Sequence, residues 1–164
     1  MPKKVLTFVP VPQSTTAYGG DPMNVATILQ HKGANVVTAR PQTTIADICK
    51  LLYSARIGAV VISSDRVRVE GILSERDIVR ALAEHGEATL SHTAADLMTR
   101  NVTTCTPSDD VAHLMSVMTS GRFRHLPVME EGALVGLVSI GNVVRVRVEE
   151  VEREAEALRE YVAQ

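Results

Sequence analysis

Aromatic residues are scarce in this 164-residue sequence, which has no Trp, three Tyr and two Phe. A site walled by stacked aromatic rings is therefore not expected. No sign of charge dominates either. Seventeen Lys and Arg stand against nineteen Asp and Glu, a formal net charge of −2, too balanced to give the whole surface a grip on nucleic acid. No run reaches the ~20 apolar residues that span a bilayer, so no membrane partner is expected. Met1-Pro2-Lys3-Lys4 and the apolar residues behind it imitate a secretory leader, yet Pro10 and Pro12 interrupt the run and no small-residue cleavage site follows. The two cysteines, Cys49 and Cys105, have no neighbouring Cys and read as small buried hydrophobes in a reducing compartment. An eightfold β/α barrel, at ~250 residues, is too large for the chain. These absences leave a cytoplasmic binding or regulatory domain.

What the sequence does contain is an internal repeat. Displaced by 66 positions, Asn35 falls on Asn101, Thr38 on Thr104 and Pro41 on Pro107. Ile45, Ile48 and Leu52 fall on Val111, Leu114 and Met118. After one deletion, Gly71-Ile72-Leu73-Ser74 lies over Gly136-Leu137-Val138-Ser139. Each copy reads β-α-β-β-α. A short β-branched strand (Val36–Thr38; Val102–Cys105) stops at a proline. An amphipathic helix follows, capped by Thr43 or Thr44 in one copy and by Ser108 in the other. Its apolar positions are Ile45, Ile48, Leu51 and Leu52, or Val111, Leu114, Met115 and Met118. Then come a buried strand (Gly58–Ile62; His125–Met129), a turn, a further strand (Gly71–Leu73; Leu134–Val138) and a second helix from Ser74 or Ser139. So small a unit cannot cover both faces of its sheet, so two are expected to pack together. The fold class is α/β, in the mixed α+β sense.

The organisation follows from the repeat. Residues 1–23, rich in Pro, Gly, Ser and Thr, read as a flexible tail. Residues 24–88 and 89–148 hold the two copies, and 149–164 an amphipathic C-terminal helix. Val25–His31 aligns with Ser91–Leu97 as a short lead-in helix before each first strand. At the other end Val144, Val148, Val151, Ala155, Leu158 and Val162 are spaced alternately four and three apart, flanked by six Glu and two Arg between 149 and 160. That stripe either packs on its own domain or meets a second subunit.

The segment Gly71-Ile72-Leu73-Ser74-Glu75-Arg76-Asp77 carries the most chemistry. A strand delivers Ser74 to a helix N-terminus, where unpaired N–H groups and the dipole favour an anion. Asp77, in the first turn, offers a carboxylate to vicinal hydroxyls such as a ribose diol. The plain alternative is a capping box, with Ser74 as N-cap and Asp77 completing it. Arg76 is either a phosphate contact or an exposed helix charge. Elsewhere the signals are weak. Val138-Ser139-Ile140-Gly141 is half of a nucleophile elbow, with Leu137 in place of its first glycine. The five histidines show no metal-ligand spacing. Neither phosphate-loop glycine motif is present. Arg66/Arg68 and Arg145/Arg147 read as solvated edges, and Asp109-Asp110 as dipole complements at a helix start.

The in-register repeat resembles a tandem pair of CBS domains, a Bateman module, over about residues 25–150. Family repeats end in Gly-h-h-Ser/Thr-x-x-Asp, where h is apolar. Gly71–Asp77 matches it fully, whereas Gly136–Asn142 has Asn at its last position. Arg124-His125-Leu126-Pro127-Val128 is similar to the family's second-strand signature. The resemblance implies two clefts between the halves, each combining one repeat's Ser/Asp motif with strand starts of the other. It places Ser74 and Asp77 with Asn101, Val102, Arg124, His125 and Leu126 in the first cleft. There Ser74 would meet phosphate or ribose, Asp77 the diol, Asn101 and Val102 the adenine, and Arg124 and His125 phosphate. The second would use Ser139 and Asn142 with Asn35, Val36, Gly58, Ala59 and Val60. It lacks the carboxylate and the Arg-His pair, so it is expected to bind charged nucleotides less well.

The resemblance implies a stand-alone regulatory module, not an enzyme, that binds an adenine nucleotide without a metal and modulates a partner protein. AMP is the first candidate, with ADP, ATP, NAD and S-adenosylmethionine behind it. A homodimer is expected, since the family often pairs its modules. Two alternatives stay open. One is a structural interaction domain with degenerate clefts. The other is a chain related to IMP dehydrogenases in name only, without a barrel or a catalytic constellation.

Overall fold

The computed structural model describes residues 23–163. The expected N-terminal tail, apart from Met23, lies outside the described residues. In order, the elements are α1 Val25–Lys32, β1 Thr38–Ala39, α2 Ile45–Ala55, β2 Ala59–Ile62, β3 Gly71–Ser74, α3 Glu75–His85, a 3-10 turn Gly86–Ser91, α4 Ala94–Leu97, α5 Val111–Gly121, β4 His125–Glu130, β5 Ala133–Ser139 and α6 Ile140–Val162. The chain is mixed α/β, and its β-α-β-β-α order repeats.

The described residues divide into two compact units. The first holds residues 35–104 and the hairpin tip Met129–Val135. In it β1 pairs parallel with β2, and β2 antiparallel with β3. All four residues of β2 are buried, as the unbroken Ala-Val-Val-Ile run requires of a central strand covered on both faces. Ile45, Ile48 and Leu52 of α2 pack with Val60, Ile62, Leu73, Ile78, Ala94 and Met98 into one apolar cluster. Thr44 caps α2, as one of the two expected candidates, its side chain accepting from the Asp47 amide.

The second unit contains residues 23–34, 105–128 and 136–163. Here β4 and β5 form a two-stranded sheet. Their Glu131-Gly132 turn has φ of 49° and 80°, the two positive values of a type I′ hairpin. The expected first strand Val102–Cys105 shrinks to one parallel bridge, Cys105 to Val128. That bridge is the repeat image of Ala39 against Ile62. The helix cap also moves. Asp110 caps α5 by accepting from the His113 amide at 2.9 Å, so the expected Ser108 is not the N-cap. Asp110, not Ser108, is the repeat partner of Thr44, and the amide of Val111 donates to Met23 O.

The lead-in helices cross over. α4, which precedes the second repeat, docks on the first: Ala94 N–H donates to Thr43 O at 2.8 Å, Ala95 N–H to Pro41 O at 2.9 Å, and Ile45 N–H to His92 O at 2.8 Å. α1 makes the same three bonds on the second repeat, with Val25 to Asp109 at 3.0 Å, Ala26 to Pro107 at 2.8 Å and Val111 to Met23 at 3.1 Å. These closures explain the two motif glycines. A Cβ at Gly71 would lie 2.5 Å from Met98 Sδ and 3.0 Å from Thr99 O, and one at Gly136 would lie 2.6 Å from Leu29 Cδ2. Each glycine lets a lead-in segment close on a strand.

The C-terminal stripe does not pack on its own unit. α6 buries Val143, Val146 and Glu150 instead, a different face of the helix.

Candidate functional site

In each repeat a strand ends at a serine that caps the next helix. Ser74 donates from its amide and its hydroxyl to Asp77 Oδ2, at 2.9 and 2.7 Å, and its Oγ accepts from the Asp77 amide at 3.4 Å. Ser139 and Asn142 do the same through Asn142 Oδ1, at 3.0, 2.9 and 3.3 Å. Both are complete capping boxes, so the plain reading of Ser74 and Asp77 describes their bonding to each other. Thr93 and Asp96 form a third box, exposed and away from either repeat motif. The box by itself therefore marks no ligand.

The two motif boxes differ in what they leave over. At Asp77 all the bonding falls on Oδ2, and Oδ1 remains a carboxylate acceptor. At Asn142 the box consumes the amide oxygen, and the group left is an NH2, which only donates. A hydroxyl can donate to the first and not to the second. The sequence difference at these positions thus becomes a difference in the sign of the hydrogen bond on offer.

The repeat geometry also fixes the residues beside each box. Ala59 is the strand partner of Ser74, and Glu75 N–H donates to Gly58 O at 3.0 Å. In the second unit Ile140 N–H donates to Arg124 O at 2.8 Å. Each box is thus tied through backbone to the second strand of its own repeat. Of the residues that sequence singles out, Asn35, Val36, Gly58, Ala59, Val60, Ser74, Arg76, Asp77, Asn101 and Val102 belong to the first unit, and Arg124, His125, Leu126, Ser139 and Asn142 to the second. Arg76, Asn101 and Arg124 are exposed, while Val60, Val102 and Leu126 are buried. Val60 and Leu126 therefore have only main-chain groups to offer. Among the described residues no hydrogen bond joins Asn101 or Val102 to Ser74 or Asp77; the Ile72–Thr99 bridge holds the segment leading to them against β3.

An open depression of about 570 Å³ is lined by Leu52, Tyr53, Ser54, Arg56, Ile57, Gly58 and Glu75. It lies where α2 ends, at Arg56 in a left-handed conformation with φ 54°, and reaches the first residue of α3. Its one signal in the sequence is the Arg56-Ile57-Gly58 break between helix and strand.

The CBS domain pattern matches residues 27–84 and again 94–149. The chain belongs to the CBS domain family. Among curated relatives, the CBS domain-containing protein CBSX3, mitochondrial, of Arabidopsis thaliana is 30% identical over 88% of this chain and 74% of its own length. Three solved structures share the CBS-pair fold. The CBS-domain containing protein ATU1752 from Agrobacterium tumefaciens is 44% identical, with TM-score 0.74 over 76% of this chain and 99% of its own. The CBS domain pair of protein MJ0100, in complex with 5-methylthioadenosine and S-adenosyl-L-methionine, is 25% identical, with TM-score 0.70 over 79% and 99%. PAE2072 from Pyrobaculum aerophilum, complexed with AMP, is 27% identical, with TM-score 0.65 over 73% and 89%. Other Arabidopsis relatives are longer, and this CBS pair spans only 24% of CBSCBSPB2. Among the described residues no helix is long and apolar enough to cross a membrane.

Proposed function

We propose that this CBS pair is a cytoplasmic regulatory module, without catalysis of its own, that binds an adenosine-containing ligand and passes its occupancy to a partner protein. The observation that carries the reading is the Asp77 carboxylate. Its box leaves Oδ1 to accept from a ribose hydroxyl at the N-terminus of α3, where the helix dipole also favours the phosphate of a nucleotide. The AMP and S-adenosyl-L-methionine complexes of similar CBS pairs support the ligand class. AMP comes first and NAD second. Asn35, Val36, Gly58, Ala59, Val60, Ser74, Arg76, Asp77, Asn101 and Val102 are the candidates in the first unit, and Arg124, His125, Leu126, Ser139 and Asn142 in the second. Occupancy becomes a signal only if the ligand binds two conformations of the module with different affinity.

The second reading, a structural interaction domain, is favoured by the self-satisfied boxes. Calorimetric titration of the purified chain with AMP, ADP, ATP, NAD, S-adenosylmethionine and GMP separates the two. Selective binding of an adenosine compound supports the sensor. No heat with any of them at millimolar concentration leaves the structural domain.

A further inference from the structure

We infer that the C-terminal half of α6 pairs with the same segment of a second copy of this chain, as a parallel, in-register, two-stranded coiled coil over residues 148–162. α6 has 23 residues, roughly 35 Å at 1.5 Å per residue. Only its first half is held, through Val143, Val146 and Glu150. From residue 151 to 163 every position is exposed. An isolated helix of that length is marginal in water. Its own charges make matters worse, since Glu150–Glu154, Glu152–Glu156 and Glu156–Glu160 are like pairs four residues apart. A helix here needs a partner.

The apolar stripe says where that partner sits. Val144, Val148, Val151, Leu158 and Val162 are 42, 49, 46, 57 and 76% exposed, and with Ala155 they form an a/d seam. At 100° per residue the seam lies roughly 125° round the helix from the face that α6 buries. It is therefore a second interface on the same helix. Val148, Ala155 and Val162 occupy a positions and Val151 and Leu158 occupy d positions. Val at two of the three a positions and Leu at one of the two d positions is the combination that favours a two-stranded parallel pair.

The flanking charges choose the partner and its direction. In a parallel pair of identical helices, each g residue faces the e residue five positions on in the other strand. Arg147 then meets Glu152 of the second copy, and Glu154 meets its Arg159, each twice by symmetry. Arg147 already binds Glu150 through Nη1, with guanidinium donors left for a second carboxylate. Antiparallel pairing centred on Val151 against Ala155 would instead set Glu152 against Glu152, Glu154 against Glu154 and Arg145 against Arg159. Other antiparallel registers pair opposite charges but cover less of the stripe. Val148 against Val151 sets Glu152 on Arg145 and Arg147 on Glu154 yet leaves Leu158 and Val162 without apolar partners, and Ala155 against Leu158 keeps only Glu152 on Arg159. The parallel pair alone joins both sets of opposite charges to every apolar layer from Val148 to Val162.

Sedimentation velocity of the full chain reads the association. The expected mass is twice that of Leu158→Glu, a surface change that leaves the melting of the packed core in place while the unpaired end of α6 loses helical circular dichroism. Ala155→Cys tests the direction: mild oxidation is expected to give a disulfide-linked dimer from this variant, and none from the native chain or from A155C/L158E. A native chain that stays monomeric at 100-fold increasing concentration overturns the proposal and turns attention to residues 1–22 or another partner as the cover of the stripe. So does an assembly that L158E leaves unchanged, or a dimer that A155C fails to cross-link.

Discussion

Replacing Asp77 by Asn separates its two roles, holding a helix and holding a ligand. Ser74 sends both of its bonds to one carboxylate oxygen, at 2.9 and 2.7 Å. Ser139 sends the same two bonds to the amide oxygen of Asn142, at 3.0 and 2.9 Å. Asn142 thus shows that Asn can complete the box at this place in the repeat. Asp77→Asn should keep the box and lose only the charge at the α3 N-terminus, worth ~0.3–1 kcal/mol, and the melting temperature should fall by no more than about 2–4 °C. Asp77→Ala removes the box as well, at a further ~1 kcal/mol. The ligand responds differently. In Asp77→Asn the free acceptor becomes an NH2 facing a hydroxyl, so a charge-assisted bond of ~1.5–3 kcal/mol is lost, roughly 10- to 150-fold in Kd. The assay is calorimetric titration of native and variant protein with AMP, beside a thermal melt of each. Asn at 77 with unchanged AMP affinity would falsify the ribose assignment, because capping and charging the start of α3 would then be all that Asp77 supplies.

Three further outcomes follow from packing and ionisation. Gly71→Ala puts a methyl within reach of Met98 and the Thr99 carbonyl, and should cost ~1–3 kcal/mol in urea denaturation; a neutral result would mean that α4 closes on β3 less tightly than described. Arg147→Ala strands the buried Glu150 carboxylate, which otherwise accepts from Arg147 at 2.5 Å and from the Met23 amide at 3.0 Å. It should cost ~3 kcal/mol, more than Glu150→Gln, because an unpaired buried charge is worse than a neutral amide; the reverse order in urea midpoints refutes this. Burial pushes the Cys105 thiol up to about 12, above its unfolded value. The protonated fold is therefore favoured increasingly less once the unfolded chain begins to ionise, and Cys105 removes ~1.4 kcal/mol of stability per pH unit above about pH 9. Stability should fall more steeply from pH 9 to 10.5 in the native chain than in Cys105→Val, and parallel curves would contradict it.

Much of the fold was legible because the chain states it twice. The displacement that lays Ile45, Ile48 and Leu52 over Val111, Leu114 and Met118 picked out six buried helix positions before any coordinates. Ser74 and Ser139 were readable as helix starts for the same reason. Where the two copies diverge, local pattern misleads. Ser108 and Asp110 are equally good caps by local chemistry, and α5 begins after Asp110, where the Val111 amide donates to Met23, more than eighty residues away. The strand Val102–Cys105 has β-branched residues yet forms one bridge, since pairing depends on a neighbour that no local pattern reveals. The crossing of α1 and α4 was invisible, and so was their register: the displacement of 66 lays Val25 on Ser91, whereas the docking bonds make Ala94 the counterpart of Val25. For the candidate site, the types of residue were legible and their bonding was not. The folded chain adds that the box uses up the oxygen of Asn142 while sparing one of Asp77.

That crossing changes what counts as a separable piece. Cut between the sequence repeats, at about residue 88, and the N-terminal fragment keeps α1, which has nothing to dock on, and loses α4, leaving the Thr43 and Pro41 carbonyls without their donors and Ile45 beside an open groove. The C-terminal fragment is the mirror case. Neither half is a domain, yet each carries what the other is missing. Two such fragments expressed apart and mixed should find each other, and two copies of one fragment hold the same lock and key in a single chain. One repeat exchanging its leading helix with a twin would already form a closed pair, and joining the twins end to end turns that exchange between molecules into the connectivity seen in this one.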